Sequence, residues 1–190
     1  MKCLLCENPS LFHICRSCQK TFLRPTLTKR KLLSNIEVLS FYKYSEIKNL
    51  LHTKHSDLGF YIYSILAQNA LKEFAKEFTF TNQVASIPID DMPMSGYSHT
   101  AILNKSLKSD FIKPLYNKLR ATNRVSYAGK SKEFRLLNPR NFELGYLSQN
   151  EVILVDDIIT TGATLTQAVQ TLQTQGKEVL FCLTLADAAL

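Results

Sequence analysis

The sequence lacks any run of apolar residues as long as the roughly 18 to 20 that a membrane-spanning helix needs. It also has no internal repeat and no low-complexity tract. Its first residues, MKCLLC, reach cysteines before a signal-like apolar stretch could develop. We therefore expect a cytoplasmic protein without membrane insertion. Its 190 residues, 45% of them hydrophobic, suffice for one domain with a proper core and a small appendage.

Acidic residues are scarce in two stretches, which concentrates the net charge of +7 there. Residues 101–140 hold ten Lys or Arg against two acids, and residues 16–31 hold six basic residues and no acid. Aromatic residues interleave with the cations of the first stretch, a combination typical of single-strand nucleic-acid sites. A solvated basic face is the alternative. The candidate DNA-binding residues are Lys130, Lys132, Arg135 and Arg140, followed by Lys29, Arg30 and Lys31.

Four of the five cysteines have the spacing C-x2-C-x8-C-x2-C near the start of the chain. Two such knuckles can bring four thiolates to one tetrahedral point, the geometry that Zn2+ prefers. Disulfides are the alternative, but a cytosolic chain keeps its thiols reduced. Because four thiolates leave no open coordination position, this zinc would be structural. The predicted ligands are Cys3, Cys6, Cys15 and Cys18.

Hydrophobic periodicity predicts an alternation of strands and helices. Strands are expected at 36–44, 83–89, 151–155 and 178–185, and helices after Ser45, over 58–78, over 98–108, over 110–120 and after the turn at 160–164. The stretch QKTFLRPTLTKRK is expected to be a connector, and residues 121–150 a long loop or irregular hairpin. Strand, helix and strand in succession over 151–185 imply a parallel sheet with a right-handed crossover.

The stretch EVILVDDIITTGAT combines a buried strand, two carboxylates and a hydroxyl-rich turn that opens a helix. Backbone N–H groups at such a helix start attract an anion, and a glycine lets the main chain approach it closely. The two carboxylates could accept hydrogen bonds from ribose hydroxyls or from water around Mg2+. The P-loop lysine is missing, which argues against a P-loop NTPase. The predicted phosphate-site residues are Asp156, Asp157, Thr160, Thr161, Gly162, Ala163 and Thr164; a plain capped turn is the alternative.

VILVDDIITTGATL resembles the phosphoribosyl-pyrophosphate (PRPP) motif of type I phosphoribosyltransferases. Together with the cysteine knuckles it is similar to the ComF family, the phosphoribosyltransferase-like proteins of bacterial natural transformation. The resemblance extends to YKYSEIKNLLHTKHSDLG, IPID and AGKSKEFRLLNPRNFEL, at the positions of the family's lysine-bearing helix, its strand before the pyrophosphate loop and its basic segment.

This resemblance implies an α/β fold: a type I phosphoribosyltransferase-like parallel sheet flanked by helices in residues 31–190, with a zinc ribbon and basic linker in residues 1–30. It implies that Asp156 and Asp157 meet the ribose hydroxyls and Mg2+ of PRPP, or a related sugar phosphate, and that residues 160–164 hold its 5′-phosphate. It also implies a role in DNA uptake, with single-stranded DNA and other DNA-uptake proteins as partners.

The segment DDMPMSGYSHTA departs from the family pattern. It keeps Gly96, Tyr97 and Ala101 of the family's R-G-F-N-Q-A but has no arginine, and it adds Asp90 and Asp91. A phosphoribosyltransferase must stabilise the charge of departing pyrophosphate with cations and metal, and these carboxylates would repel that charge unless a metal ion lies between them. A capped turn without a role in binding is the alternative for the two aspartates. We therefore expect weak or absent transferase activity. The alternative is an active phosphoribosyltransferase in nucleotide salvage.

Overall fold

The computed structural model describes residues 1–89, 96–123, 134 and 138–189. Five of the residues singled out above lie outside these ranges: Asp90, Asp91, Lys130, Lys132 and Arg135. Within the described part of the chain, no helix is both long and apolar enough to cross a membrane.

A six-stranded sheet organises the fold. In chain order its strands are β1 (Thr28–Lys31), β2 (Glu37–Lys43), β3 (Val84–Pro88), β4 (Ile112–Pro114), β7 (Glu151–Ile159) and β8 (Glu178–Asp187). Their spatial order is β1-β2-β8-β7-β3-β4. The edge strand β1 is antiparallel to β2, and the other neighbours are parallel. A separate antiparallel pair consists of β5 (Leu119–Ala121) and β6 (Phe142–Leu144).

Helices cover both faces of the sheet. They are α1 (Arg16–Phe22), α2 (Tyr44–Leu51), α3 (Asp57–Asn69), α4 (Leu71–Glu77), α5 (His99–Ser106) and α6 (Ala163–Thr174), and a 3-10 turn (His52–His55) follows α2. Because successive strand residues point to opposite faces, Ile153 and Val155 pack with the cluster under α2 to α5, while Val152 and Leu154 pack under α6. The result is the expected α/β fold with a mostly parallel sheet.

Several predicted elements are confirmed, and four differ. The strands near 36–44 and 83–89, the helix over 98–108 and the strand-helix-strand unit at the end are present. The helix predicted over 58–78 is two helices, interrupted at Ala70, whose backbone leaves regular helical geometry (φ −109, ψ −71). Where a connector was expected, the chain forms α1 and the edge strand β1.

The helix predicted over 110–120 is wrong, because this segment forms β4 and β5 instead. Ile112 is fully buried and pairs with Val84 of β3, so sheet pairing outweighs the helical spacing of the apolar residues. Pro114 would also remove a helical hydrogen bond in the interior of such a helix. The loop or irregular hairpin expected over 121–150 includes the pair β5 and β6.

Strand β7 is longer than the predicted 151–155, because its pairing with β8 continues as far as Ile159 opposite Asp187. Asp156 and Asp157 therefore lie within the strand and not beyond its end. This extension determines how the two carboxylates can be used.

Candidate functional site

The two neighbouring aspartates occupy different environments. Strand alternation directs their Cα–Cβ bonds to opposite faces of the sheet. Asp157 is buried, 6% exposed, on the face that α3 and α5 cover. Asp156 is half-buried, and its Oδ1 accepts a hydrogen bond of 2.8 Å from the backbone N–H of Asp157. The pair therefore does not present two equivalent carboxylates to one ligand.

Three side chains converge on one oxygen of Asp157. The Lys54 ammonium lies 3.2 Å from Oδ2, the Tyr63 hydroxyl donates to Oδ2 at 3.2 Å, and Nε2 of His99 lies 3.4 Å from it. These groups come from the 3-10 turn after α2, from α3 and from the first residue of α5. Because all three contacts are to Oδ2, the other oxygen, Oδ1, lies outside this cluster.

The two aspartates have pKa values that are shifted in opposite directions. Burial would raise the pKa of the Asp157 carboxyl, but the Lys54 ammonium and His99 outweigh burial and lower that pKa below its usual value. Burial and the charge of Asp157 hold the pKa of the Asp156 carboxyl well above its usual range. The pair is thus one ionised carboxylate beside one that keeps its proton more strongly, as expected for two like charges side by side.

The turn after β7 contains the residues predicted to hold a phosphate. Thr160 and Thr161 are exposed, and Gly162 has a left-handed backbone with φ of 80. The left-handed backbone favours glycine at this position, and a Cβ on Gly162 would lie 2.8 Å from Cδ2 of Leu32, whose side chain would have to shift. The next residue, Ala163, begins α6, and Thr164 is half-buried in its first turn. The backbone N–H groups at the start of this helix can donate hydrogen bonds to a phosphate.

Arg30 connects this turn to the far end of the sheet. Its Nη2 donates to the carbonyl oxygen of Thr160 at 2.5 Å, and its Nη1 lies 3.2 Å from Oδ1 of Asp187. Arg30 was predicted to bind DNA. In the structure its side chain connects β1 to the turn and to β8. Its strand neighbours Lys29 and Lys31 are exposed. Arg140 is half-buried, and its backbone N–H donates to Gln167 of α6 at 2.8 Å.

Sequence reasoning missed Lys54, Tyr63 and His99 as parts of the site. Their separation along the chain hides their convergence, since Tyr63 follows the apolar period of a core helix and His99 sits between a helix-capping Ser98 and Thr100. One signal was available: a lysine at the end of the lysine-bearing helix that the resemblance pointed out.

Tyr97 holds the loop entering α5 against the turn that carries Lys54. Its hydroxyl donates to the carbonyl oxygen of Lys54 at 2.6 Å and lies 3.2 Å from that of Ser56. Gly59 makes this approach possible, because a Cβ there would lie 2.2 Å from both the Tyr97 hydroxyl and the carbonyl oxygen of Thr53. The positions of Lys54 and His99 are therefore linked through backbone contacts as well as through Asp157.

The four predicted cysteine ligands lie together. Their sulfur atoms all fall within 4.8 Å of one another, and the Cys6 and Cys15 sulfurs are 3.8 Å apart. A tetrahedron of Zn–S bonds of about 2.3 Å places sulfurs about 3.8 Å apart, so the cluster fits a metal ion of this size. Backbone N–H groups also point at the sulfurs, from Cys15 to Cys3 at 3.2 Å and from Cys18 to Cys15 at 3.4 Å.

The proton affinities within this cluster also favour a cation. Burial would raise the pKa of the Cys3 thiol, but backbone N–H groups lower it to about 6. Burial and the neighbouring sulfurs raise the pKa of the Cys18 thiol. Four thiolates thus ionise together only with a positive charge between them. The fifth cysteine, Cys182, is a core thiol: it is fully buried, and burial with the charge of Asp156 raises its pKa to about 12.

His13, which lies between the knuckles, packs against α3, where its ring centroid is 4.6 Å from that of Tyr61. Cys3, Ile14 and Cys18 belong to the same buried cluster as the residues of α2 to α5. The cysteine segment is therefore packed onto the main body of the fold.

Comparison with protein families gives a match over most of the chain. The family model described as PRTase-CE matches residues 22–187. No match was found among curated protein sequences. This match confirms that the chain is a phosphoribosyltransferase-like protein. It does not show membership of the ComF family.

Solved phosphoribosyltransferases are similar to this chain at low identity and low TM-score. Hypoxanthine phosphoribosyltransferase from Staphylococcus aureus is 17% identical with a TM-score of 0.41, covering 66% of this chain and 62% of that one. UMP synthase from Leishmania donovani is 15% identical with a TM-score of 0.40, covering 90% and 31%. An adenine phosphoribosyltransferase is 15% identical with a TM-score of 0.42, covering 90% and 88%. This chain thus spans less than two thirds of the first two proteins.

Proposed function

The chain belongs to the PRTase-CE family, and we propose that it binds PRPP or a related ribose 5-phosphate at the turn after β7. The observation that carries this proposal is the combination of the helix start at Gly162 with an ionised carboxylate, Asp157, held in place by three side chains. The turn would accept the 5′-phosphate, and the carboxylate would accept the ribose hydroxyls.

Mg2+ fits this arrangement through one carboxylate. Magnesium in phosphate sites is commonly held by one or two carboxylates together with phosphate oxygens of the ligand. Asp157 is the ionised member of the pair, and its Oδ1 is outside the Lys54 cluster, so it is the residue that would hold the ion. When bound, Mg2+ supplies positive charge that neutralises the diphosphate of PRPP. Asp156, which retains its proton more strongly, would serve as a hydrogen-bonding group.

We propose that transferase activity is weak or absent, and an active phosphoribosyltransferase remains the second candidate. Lys54 and His99 are cations or potential cations near the site, which favours the second candidate. However, both are turned to Asp157, and charge already paired with a carboxylate is less available to departing pyrophosphate. The arginine of the family's R-G-F-N-Q-A pattern is also absent from DDMPMSGYSHTA.

The proposal also includes a cellular role, binding partners and a role for each part of the chain. We propose a ComF-like role in DNA uptake within the cytoplasm, with single-stranded DNA and other DNA-uptake proteins as partners. Lys29 and Lys31, exposed on the edge strand, are the described candidates for contacting phosphates. We propose that residues 1–30 form a zinc-binding ribbon and linker that stabilise the remaining 31–190 as the ligand-binding domain. The cysteine cluster supports the metal site in this scheme.

Titration calorimetry followed by an activity assay tests the proposal. The chain is titrated in Mg2+ with PRPP, ribose 5-phosphate and inorganic phosphate, and pyrophosphate release is then measured over a panel of nucleobases. Binding of PRPP without release supports a sugar-phosphate-binding protein. Steady release with one base would establish the second candidate, and absence of binding for all three ligands would reject the site.

A further inference from the structure

A groove between α3 and α5 lies on the surface and is separate from the carboxylate cluster. Its volume is about 380 Å3. Helix α3 contributes one wall, α4 extends it, and α5 with the residue two beyond it contributes the other. The lining residues are Phe60, Ser64, Gln68, Lys72, Ile102, Lys105, Ser106 and Lys108.

The charge of this groove is uncompensated. Lys72, Lys105 and Lys108 line it and are exposed, and none of its lining residues is acidic. Within the described ranges, no carboxylate forms an ion pair with any of the three. By contrast, Lys76 of the same helix as Lys72 lies 2.7 Å from Glu73. Three unpaired ammonium groups around one concave surface attract a ligand with several negative charges.

An aromatic ring stands at one end of the groove. Phe60 is 46% exposed, so its ring can be reached from solvent. Edge contacts with Tyr61 and Tyr97, at centroid distances of 5.5 and 6.0 Å, hold the ring in place. A fixed, exposed ring beside cations is suited to stacking on a planar base, which requires no reading of its identity.

Cations and a stacking ring on the same groove favour one class of ligand. Phosphate groups along a backbone can meet the lysines while a base stacks on Phe60, and Ser64, Gln68 and Ser106 can donate or accept hydrogen bonds. A duplex keeps its bases stacked inside and offers none to the ring. We propose that the α3–α5 groove is a binding site for single-stranded nucleic acid, which rests on the nucleic-acid part of the proposed function and relocates it to this surface.

The absence of tryptophan from the chain provides a direct reporter. In Phe60→Trp the introduced indole is the only tryptophan, and stacking of a base should quench its fluorescence during titration with an unlabelled oligonucleotide. Tyr146→Trp is the matched control, because Tyr146 is 84% exposed and does not line the groove. Saturable quenching in Phe60→Trp alone supports the site. Equal quenching in both variants, or none in Phe60→Trp, overturns it.

Salt dependence tests the lysines. Binding of a labelled single strand is measured by anisotropy at several salt concentrations for the wild type, for Lys72→Gln/Lys105→Gln/Lys108→Gln, and for the control Lys76→Gln. At about 0.7 per phosphate contact in single strands, the triple variant should lose about 2 from the slope of log K against log salt. Phe60→Ala should weaken binding by about fivefold or more. Lys76→Gln should leave both quantities unchanged.

The outcomes separate the groove from the broader proposal. If the wild type binds single strands and the triple variant binds equally well, the groove is not the binding site, and nucleic acid binds elsewhere on the chain. If the wild type does not bind, the groove and the nucleic-acid part of the proposed function both fail, while the sugar-phosphate site is unaffected.

Discussion

The ammonium nitrogen of Lys54 lies 3.2 Å from Oδ2 of Asp157, although 103 residues separate the two in sequence. Asp157 belongs to a central strand of the sheet, and Lys54 belongs to the 3-10 turn that follows α2. The contact therefore joins the first helical unit to the strand that leads into the proposed phosphate turn. It also keeps the buried carboxylate ionised, which is the form that a ribose or a metal ion requires.

Lys54→Met should destabilise the fold. The substitution leaves the Asp157 carboxylate with two partners and no fixed positive charge. The free energy of unfolding should fall by about 1 to 3 kcal/mol. The lower end is favoured because the lysine side chain is 32% exposed and solvent weakens the ion pair. Urea unfolding measures the effect, with Lys48→Met on the exposed side of α2 as the control. Identical midpoints for the two variants would contradict a stabilising role for the pair.

The two aspartates should respond to pH with opposite signs. The folded-state pKa of Asp157 is lowered, so its contribution to stability is present above its unfolded value near 3.8 and is lost as pH falls through the folded value. The folded-state pKa of Asp156 is raised, so its contribution is full below 3.8 and is lost as pH rises through the folded value.

Asp156→Asn should therefore gain stability over the wild type as pH rises from 4 to 8, because the amide needs no proton and its oxygen can still accept from the Asp157 N–H. Asp157→Asn should be less stable than the wild type above about pH 4 by an amount that changes little with pH, and this difference should shrink as pH falls below 3.8. Unfolding free energies measured at intervals from about pH 2 to 8 test both signs. If the unfolding free energies of the two variants changed with pH in the same way, the pKa values of the two aspartates would not be shifted in opposite directions.

Much of the fold was predictable because it depends on local pattern, and the site was less so. Runs of apolar, β-prone residues indicated β7 and β8, and the spacing of the cysteines indicated their cluster. The length of β7 was not predictable, because it depends on pairing between Ile159 and Asp187 in separate elements. The same holds for Tyr63, whose place in an apolar helix gave no sign that its hydroxyl meets a carboxylate.

Gly162→Ala should impair both folding and ligand binding. The left-handed backbone costs about 1 kcal/mol or more with a side chain, and the added Cβ would approach Leu32 to 2.8 Å. Gly176→Ala is the matched control, since Gly176 has a similar φ of 73 and an added Cβ there would meet no atom within 4 Å. Chemical denaturation and PRPP titration of both variants should show lost stability in each and weakened binding in Gly162→Ala alone. Equal affinities would argue against ligand contact at this turn.

Metal removal should loosen the cysteine segment and the core beneath it. Cys3→Ser should remove bound zinc and lower Tm by about 10 °C, the shift that a loss of roughly 3 kcal/mol causes in a domain of this size. Cys182→Ser is the control, since both thiols are buried but only Cys3 belongs to the cluster. Elemental analysis should find one zinc per chain in the wild type and the control. Retention of full zinc in Cys3→Ser would reject this ligand set.

Calorimetric titration of PRPP in Mg2+ into the wild type and Asp157→Asn tests the central claim most directly. We expect one saturable site per chain in the wild type and an affinity at least about tenfold lower in the variant, since a charge-assisted contact contributes about 1.5 to 3 kcal/mol. No binding by the wild type, or equal affinity in the two proteins, would contradict a sugar-phosphate site built on the turn after β7 and the carboxylate of Asp157.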